Sequence, residues 1–332
     1  MKNVTIRDIA NELGISIATV SRVLNDSGYA SKEVKEQVFS MAEKLRYQPN
    51  AVARSLKNHR TNTIGIIIPD ISNPYFMTIS KGIEDSVREY GYHLIFMSGN
   101  ENPVKEKKML QVLIEKRVDA LVLATSGKNE DVIRNIKESG VPIVLIDRKL
   151  REDSLGLDLV VEDNIKGAYD LTNYLLERGH HRIGVINGSL EVSTGFERYE
   201  GFRKAIHEKG LEANPELIFN GNFTKEDGIN AVDYFLNLQN KPSAILSFNN
   251  TMAFGAIIQL TKNGYSVPHD MVVASFGEVE AAQILKPSSI ITIKQSPYEM
   301  GLRAGEILLE HLLDNAKELG KTIFDPHLSI SE

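Results

Sequence analysis

The sequence contains no cysteine, which excludes disulfides, thiolate metal sites and cysteine nucleophiles, and a cytoplasmic location is expected. No apolar run approaches the roughly 20 residues that a membrane-spanning helix needs. The first residues have neither an apolar core nor a small-residue cleavage site, so no secretory signal is expected. Catalytic signatures are missing too: there is no G-x-S-x-G, no P-loop, no G-x-G-x-x-G and no histidine pair at metal-binding spacing. His180 and His181 follow Gly179 at a helix end, where capping of carbonyls and the helix dipole account for them. The expectation is a protein without enzymatic turnover, cofactor, metal or membrane contact.

What is present is a charge asymmetry. Residues 1–60 hold ten Lys and Arg against six Asp and Glu, a net of +4, within a chain of net charge −6, so the remainder carries −10. A basic head on an acidic body fits a nucleic-acid-binding module on a carrier, and equally a solvated basic face. At 332 residues, two or three compact units are expected.

The head reads as three short helices. Thr5 and Asp8 have capping-box spacing, and Ile6, Ile9, Ala10 and Leu13 follow at helical spacing up to Gly14. Gly-Ile-Ser supplies a turn, Ser16 caps a second helix, and Ile15, Val20, Val23 and Leu24 turn toward the first. A third helix runs from Ser31 through Val34, Val38, Met41, Ala42 and Leu45. The arrangement is a helix-turn-helix with an exposed stripe at Ile17, Ala18, Ser21, Arg22 and Asn25. In such motifs the second helix enters the major groove N-terminus first, which puts Ile17, Ala18 and Arg22 at base edges. Arg22 can donate two bonds to a guanine, whereas Ile17 and Ala18 offer apolar contact to a thymine methyl; Thr5, Ser16, Thr19, Ser21 and Asn25 suit phosphates.

In "YQPNAVARSLKNHR", residues 47–60, Pro49 stops the third helix and Asn50 can cap a short one from Ala51 to about Lys57. Leu56, among Arg54, Lys57 and Arg60, has two readings: a wedge between base steps in the minor groove, or a linker leucine packed on the body.

Taken in order, "TIRDIANELGISIATVSRVLN", "PNAVARSLK", "IGIIIPDISNPYF" and "ERGHHRIGVI" resemble the lactose-repressor-type (LacI/GalR) family over nearly the whole chain. The resemblance implies a transcription regulator, a repressor, that binds a pseudo-palindromic double-stranded DNA operator as a homodimer and is controlled by a small-molecule effector. It implies a DNA-binding domain over 1–48, a hinge over 49–61 with Asn50, Ala53, Arg54, Leu56 and Lys57 at the DNA, and an effector-binding domain over 62–332. Without a trailing heptad helix, a dimer is expected rather than a tetramer built by such a tail. The alternative, a sugar-binding protein with no regulatory role, has neither the head nor an export signal.

From Thr63 onward, β-branched runs such as "TIGIII", "ALVLA", "RIGVI" and "VVASF" alternate with amphipathic helices, the βαβ pattern of parallel sheets. Ser296 to Glu299 has capping-box spacing, with Pro297 at the first helical position. The fold class expected is a small all-α head plus an α/β body. Ten or so strands are many for one sheet, and the resemblance implies two parallel-sheet subdomains of periplasmic-binding-protein type, crossed near residues 161, 291 and 322. Ligands of open parallel sheets bind beyond the carboxyl ends of the strands. The candidates there are residues 70–76 (including Tyr75 and Phe76), Ser126, Asp147, Arg148, Asp163, residues 192–198, Phe223, Asn249, Asn250, Gly277, Glu278 and Gln295. The family's effector positions fall on Phe76, Arg148, Thr194, Arg198, Phe223, Asn249 and Gln295. The chain departs from the family at Asn250 and Gly277, where an aspartate is usual. With Arg148 and Arg198 retained, the site is expected to be more positive and the sugar-like effector to be anionic.

Overall fold

The computed structural model describes residues 4–48, 60–150, 155–280, 290–313, 315 and 318–330. The chain divides into two units, Met1–Thr61 and Asn62–Glu332. Among the described residues no helix is long and apolar enough to cross a membrane.

The first unit contains α1 (Ile6–Leu13), α2 (Ile17–Leu24) and α3 (Lys32–Lys44). Thr5 opens α1 by donating its backbone N–H and its hydroxyl to Asp8 Oδ2, at 2.8 and 2.7 Å. Gly14 stops the helix at φ 67°, a left-handed conformation that glycine adopts without steric cost. Ile15 N–H then reaches back to the Ala10 carbonyl at 3.1 Å, the six-to-one bond of a Schellman stop. Ser16 and Ser31 hydroxyls accept from Thr19 and Val34 N–H at 3.1 and 3.3 Å, capping α2 and α3. Each helix sends its apolar face inward: Ile9 and Ala10, Val20 and Val23, and Val38 are buried together. Leu13, Ile15, Leu24, Val34 and Met41 pack around them.

Among the described residues the second unit holds two six-stranded sheets. The first orders its strands β11 (Lys321–Phe324), β5 (Asp158–Glu162), β4 (Ile143–Ile146), β3 (Ala120–Leu123), β1 (Thr63–Ile68) and β2 (His93–Ser98), all parallel. The second orders β12 (His327–Ile330), β10 (Ile290–Lys294), β9 (Val272–Phe276), β8 (Ala244–Ser247), β6 (Ile183–Asn187) and β7 (Ile218–Asn220). Only its β10–β12 pair is antiparallel. Central strands such as β3, β4 and β8 are buried at every residue, as parallel strands covered on both faces must be. In chain order the remaining helices are α4 (Pro74–Val87), α5 (Pro103–Glu115), α6 (Glu130–Glu138), α7 (Asn164–Glu177), α8 (Ser193–Glu208), α9 (Lys225–Leu236), α10 (Asn250–Lys262) and α11 (Pro297–Leu312).

The chain passes between sheets three times: after β5, after β10 and between β11 and β12. Residues 161, 291 and 322 lie inside the strands that precede those crossings. The crossing after β10 carries α11 back onto α4 and the first sheet. There Gly82 and Gly301 abut, and a Cβ at Gly301 would stand 2.0 Å from the Ile79 carbonyl oxygen. Gly301→Ala is therefore expected to force α4 and α11 apart and cost about 1–3 kcal/mol. Denaturant unfolding of the two proteins checks this, and equal midpoints would contradict it.

One local expectation is corrected and one is refined. Ser296 and Glu299 form no capping box: the Ser296 side chain makes no cap bond. The backbone N–H that Glu299 would take is instead donated to Glu162 Oε1 at 2.9 Å. His180 closes the helix end through its backbone, its N–H donating to the Leu175 carbonyl at 3.1 Å, while its ring turns away, with Nδ1 3.0 Å from the Ser243 hydroxyl. Burial, then Arg178 and His181, hold its pKa below the usual histidine value.

Candidate functional site

The carboxyl ends of both sheets face one another across a cleft of about 940 Å³, with an inner recess of about 30 Å³ at its floor. The rings of Tyr75, Phe223 and Phe254 line the cleft, together with Asp70, Asn73, Glu101, Asn250, Glu278 and Gln295. Phe76, Asp147, Arg148, Thr194, Arg198 and Asn249 line the recess.

Two guanidiniums anchor the floor, and each already has acceptors. Arg148 follows β4 and donates Nη1–H and Nη2–H to Glu101 Oε2 and Oε1 at 2.7 and 2.6 Å, a two-bond fork. Its Nε is 3.5 Å from Asp147 Oδ2, outside hydrogen-bond geometry, and its guanidinium carbon is 5.1 Å from the centre of the Phe223 ring. Arg198, on α8, donates from Nε to Asn164 Oδ1 at 2.8 Å and from Nη1 to the Phe248 carbonyl at 2.7 Å. It also lies 3.8 Å over the Phe276 ring. Burial lowers the Arg198 pKa from its ordinary value.

Three carboxylates stand beside these cations. Asp147, held at φ 62°, accepts from the Tyr75 hydroxyl at 2.9 Å, and burial raises its pKa against the pull of Arg148 and Arg198. Glu162, the last residue of β5, accepts from Gln295 Nε2 at 2.6 Å and from Ser296 N–H at 2.9 Å, tying the first crossing to the second. Burial pushes its pKa up to about 7. The recess is lined by the acids Asp70, Glu101 and Asp147 beside Arg148 and Arg198, so the two guanidiniums have acidic neighbours that a count of the missing aspartates leaves out.

Asn250 has a further consequence. It exchanges two hydrogen bonds with Asn73 across the cleft, at 3.3 and 3.1 Å. The Asn73 amide is oriented by Tyr75 N–H, which donates to its Oδ1, so an aspartate at 250 would meet that oxygen with no proton to share. Lys149 N–H to the Ser193 hydroxyl at 3.0 Å, the Lys149–Glu197 ion pair and Lys128–Glu191 at 3.2 Å also join the two halves.

The remaining expected residues are placed as follows. Thr194 is buried in the recess. Asn249 caps α10 by accepting from Met252 N–H at 2.8 Å. Ser126 turns from the cleft and donates its N–H and hydroxyl to buried Glu106 at 2.6 and 2.9 Å. Asp163 caps α7, accepting from Lys166 N–H at 2.9 Å, and lines neither cleft nor recess. Gly277 sits at φ 98°, where a Cβ would stand 2.7 Å from Gln295 Oε1. Glycine there leaves space for the amide that holds Glu162.

In the head, Ile17, Ala18 and Arg22 are exposed on α2 and Asn25 is exposed just past its end, with Thr5 and Ser16 exposed at the helix starts and Thr19 and Ser21 half-buried. The Ser16 and Thr19 hydroxyls lie 2.9 Å apart, and Asn25 Nδ2 donates to the Ser21 carbonyl at 2.7 Å. Tyr29, 89 % exposed in the turn before α3, is an aromatic that sequence reasoning passed over. Asn50, Ala53, Arg54, Leu56 and Lys57 lie outside the described residues.

Residues 5–50 match the family of bacterial regulatory proteins, lacI family. Residues 61–323 match periplasmic binding proteins and sugar binding domain of LacI family. The chain belongs to the LacI family. It is 38 % identical over 316 residues to the HTH-type transcriptional regulator RegA of Clostridium saccharobutylicum, spanning 95 % of this chain and 94 % of that protein. It is 36 % identical over 326 residues to the HTH-type transcriptional repressor PurR of Actinobacillus pleuropneumoniae serotype 3 (strain JL03), spanning 98 % and 96 %. Among solved structures it resembles the transcriptional regulator CelR in complex with cellobiose, at 26 % identity and TM-score 0.74 over 99 % of each chain. All three are transcriptional regulators by name.

Within this LacI-family chain, sequence reasoning missed Glu101 and Glu162. Both had a signal. Glu101 lies just past the carboxyl end of β2, and Glu162 ends "DLVVE", a strand not recognised among the β-branched runs.

Proposed function

We propose that the chain is a cytoplasmic, homodimeric transcriptional repressor whose operator affinity is set by a neutral saccharide held in the cleft. The observation that carries the ligand class is the floor itself: both guanidiniums are matched by carboxylates and amides, beneath walls of Tyr75, Phe223 and Phe254 rings. Rings stack on sugar faces, while carboxylates, amides and hydroxyls exchange hydrogen bonds with sugar hydroxyls. Cellobiose in the CelR structure supports the same class. The ligand acts by preferring one closure of the two halves, which are joined by Asn73–Asn250 and the Lys149 contacts, and so biases the form that binds DNA. Calorimetry with cellobiose and other neutral saccharides, each beside its sugar acid, tests the ligand class. Binding confined to the acids would overturn it.

On the DNA side, Arg22 with Ile17 and Ala18 reads base edges, while Thr5, Ser16, Thr19, Ser21 and Asn25 hold phosphates. Arg22→Ala is expected to lose about 1–3 kcal/mol of discrimination between operator variants. Anisotropy on a selected operator and its single-base variants measures the loss. Unchanged discrimination would remove Arg22 from base reading.

A further inference from the structure

The inner end of the cleft carries a closed charge pair, Glu101 on Arg148. Asn100 and Glu101 are both left-handed, at φ 52° and 54°. This turn is fixed on one side by the Ser98 hydroxyl, which lies 3.0 Å from Asn100 Oδ1. On the other, Asn102 accepts from Val104 N–H at 2.9 Å. The Glu101 carboxylate is thereby delivered onto the two terminal nitrogens of Arg148. The Arg148 side chain is 4 % exposed and that of Glu101 is 19 % exposed, so the carboxylate stands between the open cleft and the buried cation. Arg148 has two other acids near it, Asp147 and buried Glu106, but burial disfavours the charged form of both. What Glu101 alone does is fill the fork, the geometry by which a guanidinium takes a carboxylate or phosphate.

We propose that Glu101 sets the charge selectivity of the cleft: by occupying the Arg148 fork from within, it excludes carboxylate and phosphate ligands and admits neutral, hydroxyl-bearing ones. A ligand anion must evict Glu101 and leave that carboxylate crowded against the newcomer and Asp147. A ligand hydroxyl needs no eviction, because each Glu101 oxygen has a second lone pair with which to accept from it. The proposal rests on the cleft being the effector site.

The test uses the full-length chain, inorganic phosphate and acetate, with sodium chloride at equal ionic strength as the reference. Wild type is expected to show only the small general stabilisation that phosphate gives a folded protein by exclusion from its surface, so the informative quantity is the difference between wild type and variant in each salt. Glu101→Gln opens the fork, and its midpoint should rise with phosphate or acetate, with calorimetric phosphate affinity about tenfold or more above wild type. Glu101→Gln combined with Arg148→Gln should lose that response. Equal responses in wild type and Glu101→Gln, or a response that survives in the double variant, would overturn the proposal. Should Glu101→Gln fail to fold, wild type decides the matter: phosphate protection of wild type that disappears in Arg148→Lys contradicts an occupied fork, and its absence upholds one. A wild-type chain that binds no neutral saccharide overturns the saccharide reading, while the anion response of Glu101→Gln still decides the role of Glu101.

Discussion

Arg198→Ala is expected to abolish the response of operator binding to effector and to destabilise the body by about 3–5 kcal/mol, as removal of one partner from a buried charged network does. The guanidinium joins elements far apart in sequence: Asn164 at the start of α7, the Phe248 carbonyl after β8 and the Phe276 ring at the end of β9. With the side chain removed, the buried Asn164 Oδ1 and Phe248 carbonyl lose their donors, and unsatisfied acceptors cost more than the hydrogen bonds are worth. The floor also loses a cation facing Asp147 and Glu162. Arg198→Lys separates charge from geometry, because an ammonium keeps the charge but has no planar fork to lie on Phe276 while donating to both acceptors. Urea unfolding should rank wild type above Arg198→Lys and Arg198→Lys above Arg198→Ala. Wild-type stability in Arg198→Lys would show that charge alone matters at this position.

The second large effect depends on pH through Glu162. Its carboxyl is nearly inaccessible to solvent, and burial raises its pKa from 4.5 to about 7. The folded protein therefore holds a proton that the unfolded chain releases between pH 4.5 and 7. The corresponding stability is fully present below pH 4.5 and is lost as pH rises through 7, a loss of about 3 kcal/mol at one pKa unit per 1.36 kcal/mol. Asp147, also raised by burial, adds to the wild-type slope with the same sign, so the informative quantity is the difference between wild type and Glu162→Gln. An amide cannot ionise, and Glu162→Gln should lose less stability than wild type between pH 5 and 8. Parallel profiles would mean that Glu162 is ionised throughout. Glu162 accepts from Gln295 and Ser296 at a crossing between the halves, so its ionisation acts on that crossing.

Much of the fold was legible because it is written in local pattern. The head follows from Gly14, the Ser16 and Ser31 caps and apolar residues at helical spacing, all short-range signals. Central strands were legible as β-branched runs, since burial on both faces removes polar alternation. The edge strands β7, β11 and β12 were not, being three or four residues long and only partly buried. The failed capping box at Ser296 has a long-range cause, because Glu162 takes the N–H that Glu299 would have used. The electrostatics of the cleft were illegible for the same reason. Counting the aspartates absent at 250 and 277 left out Glu101, which reaches Arg148 only because a left-handed turn after β2 delivers it there.

Occupancy of the cleft is expected to change operator affinity. Anisotropy of the full-length chain on its selected operator at fixed salt, with and without a saturating saccharide that calorimetry has identified, measures this. The expected change in operator Kd is roughly 5- to 150-fold, the usual span of coupling between linked sites, with none in Arg198→Ala. The same Kd with and without bound saccharide in the wild type would contradict it.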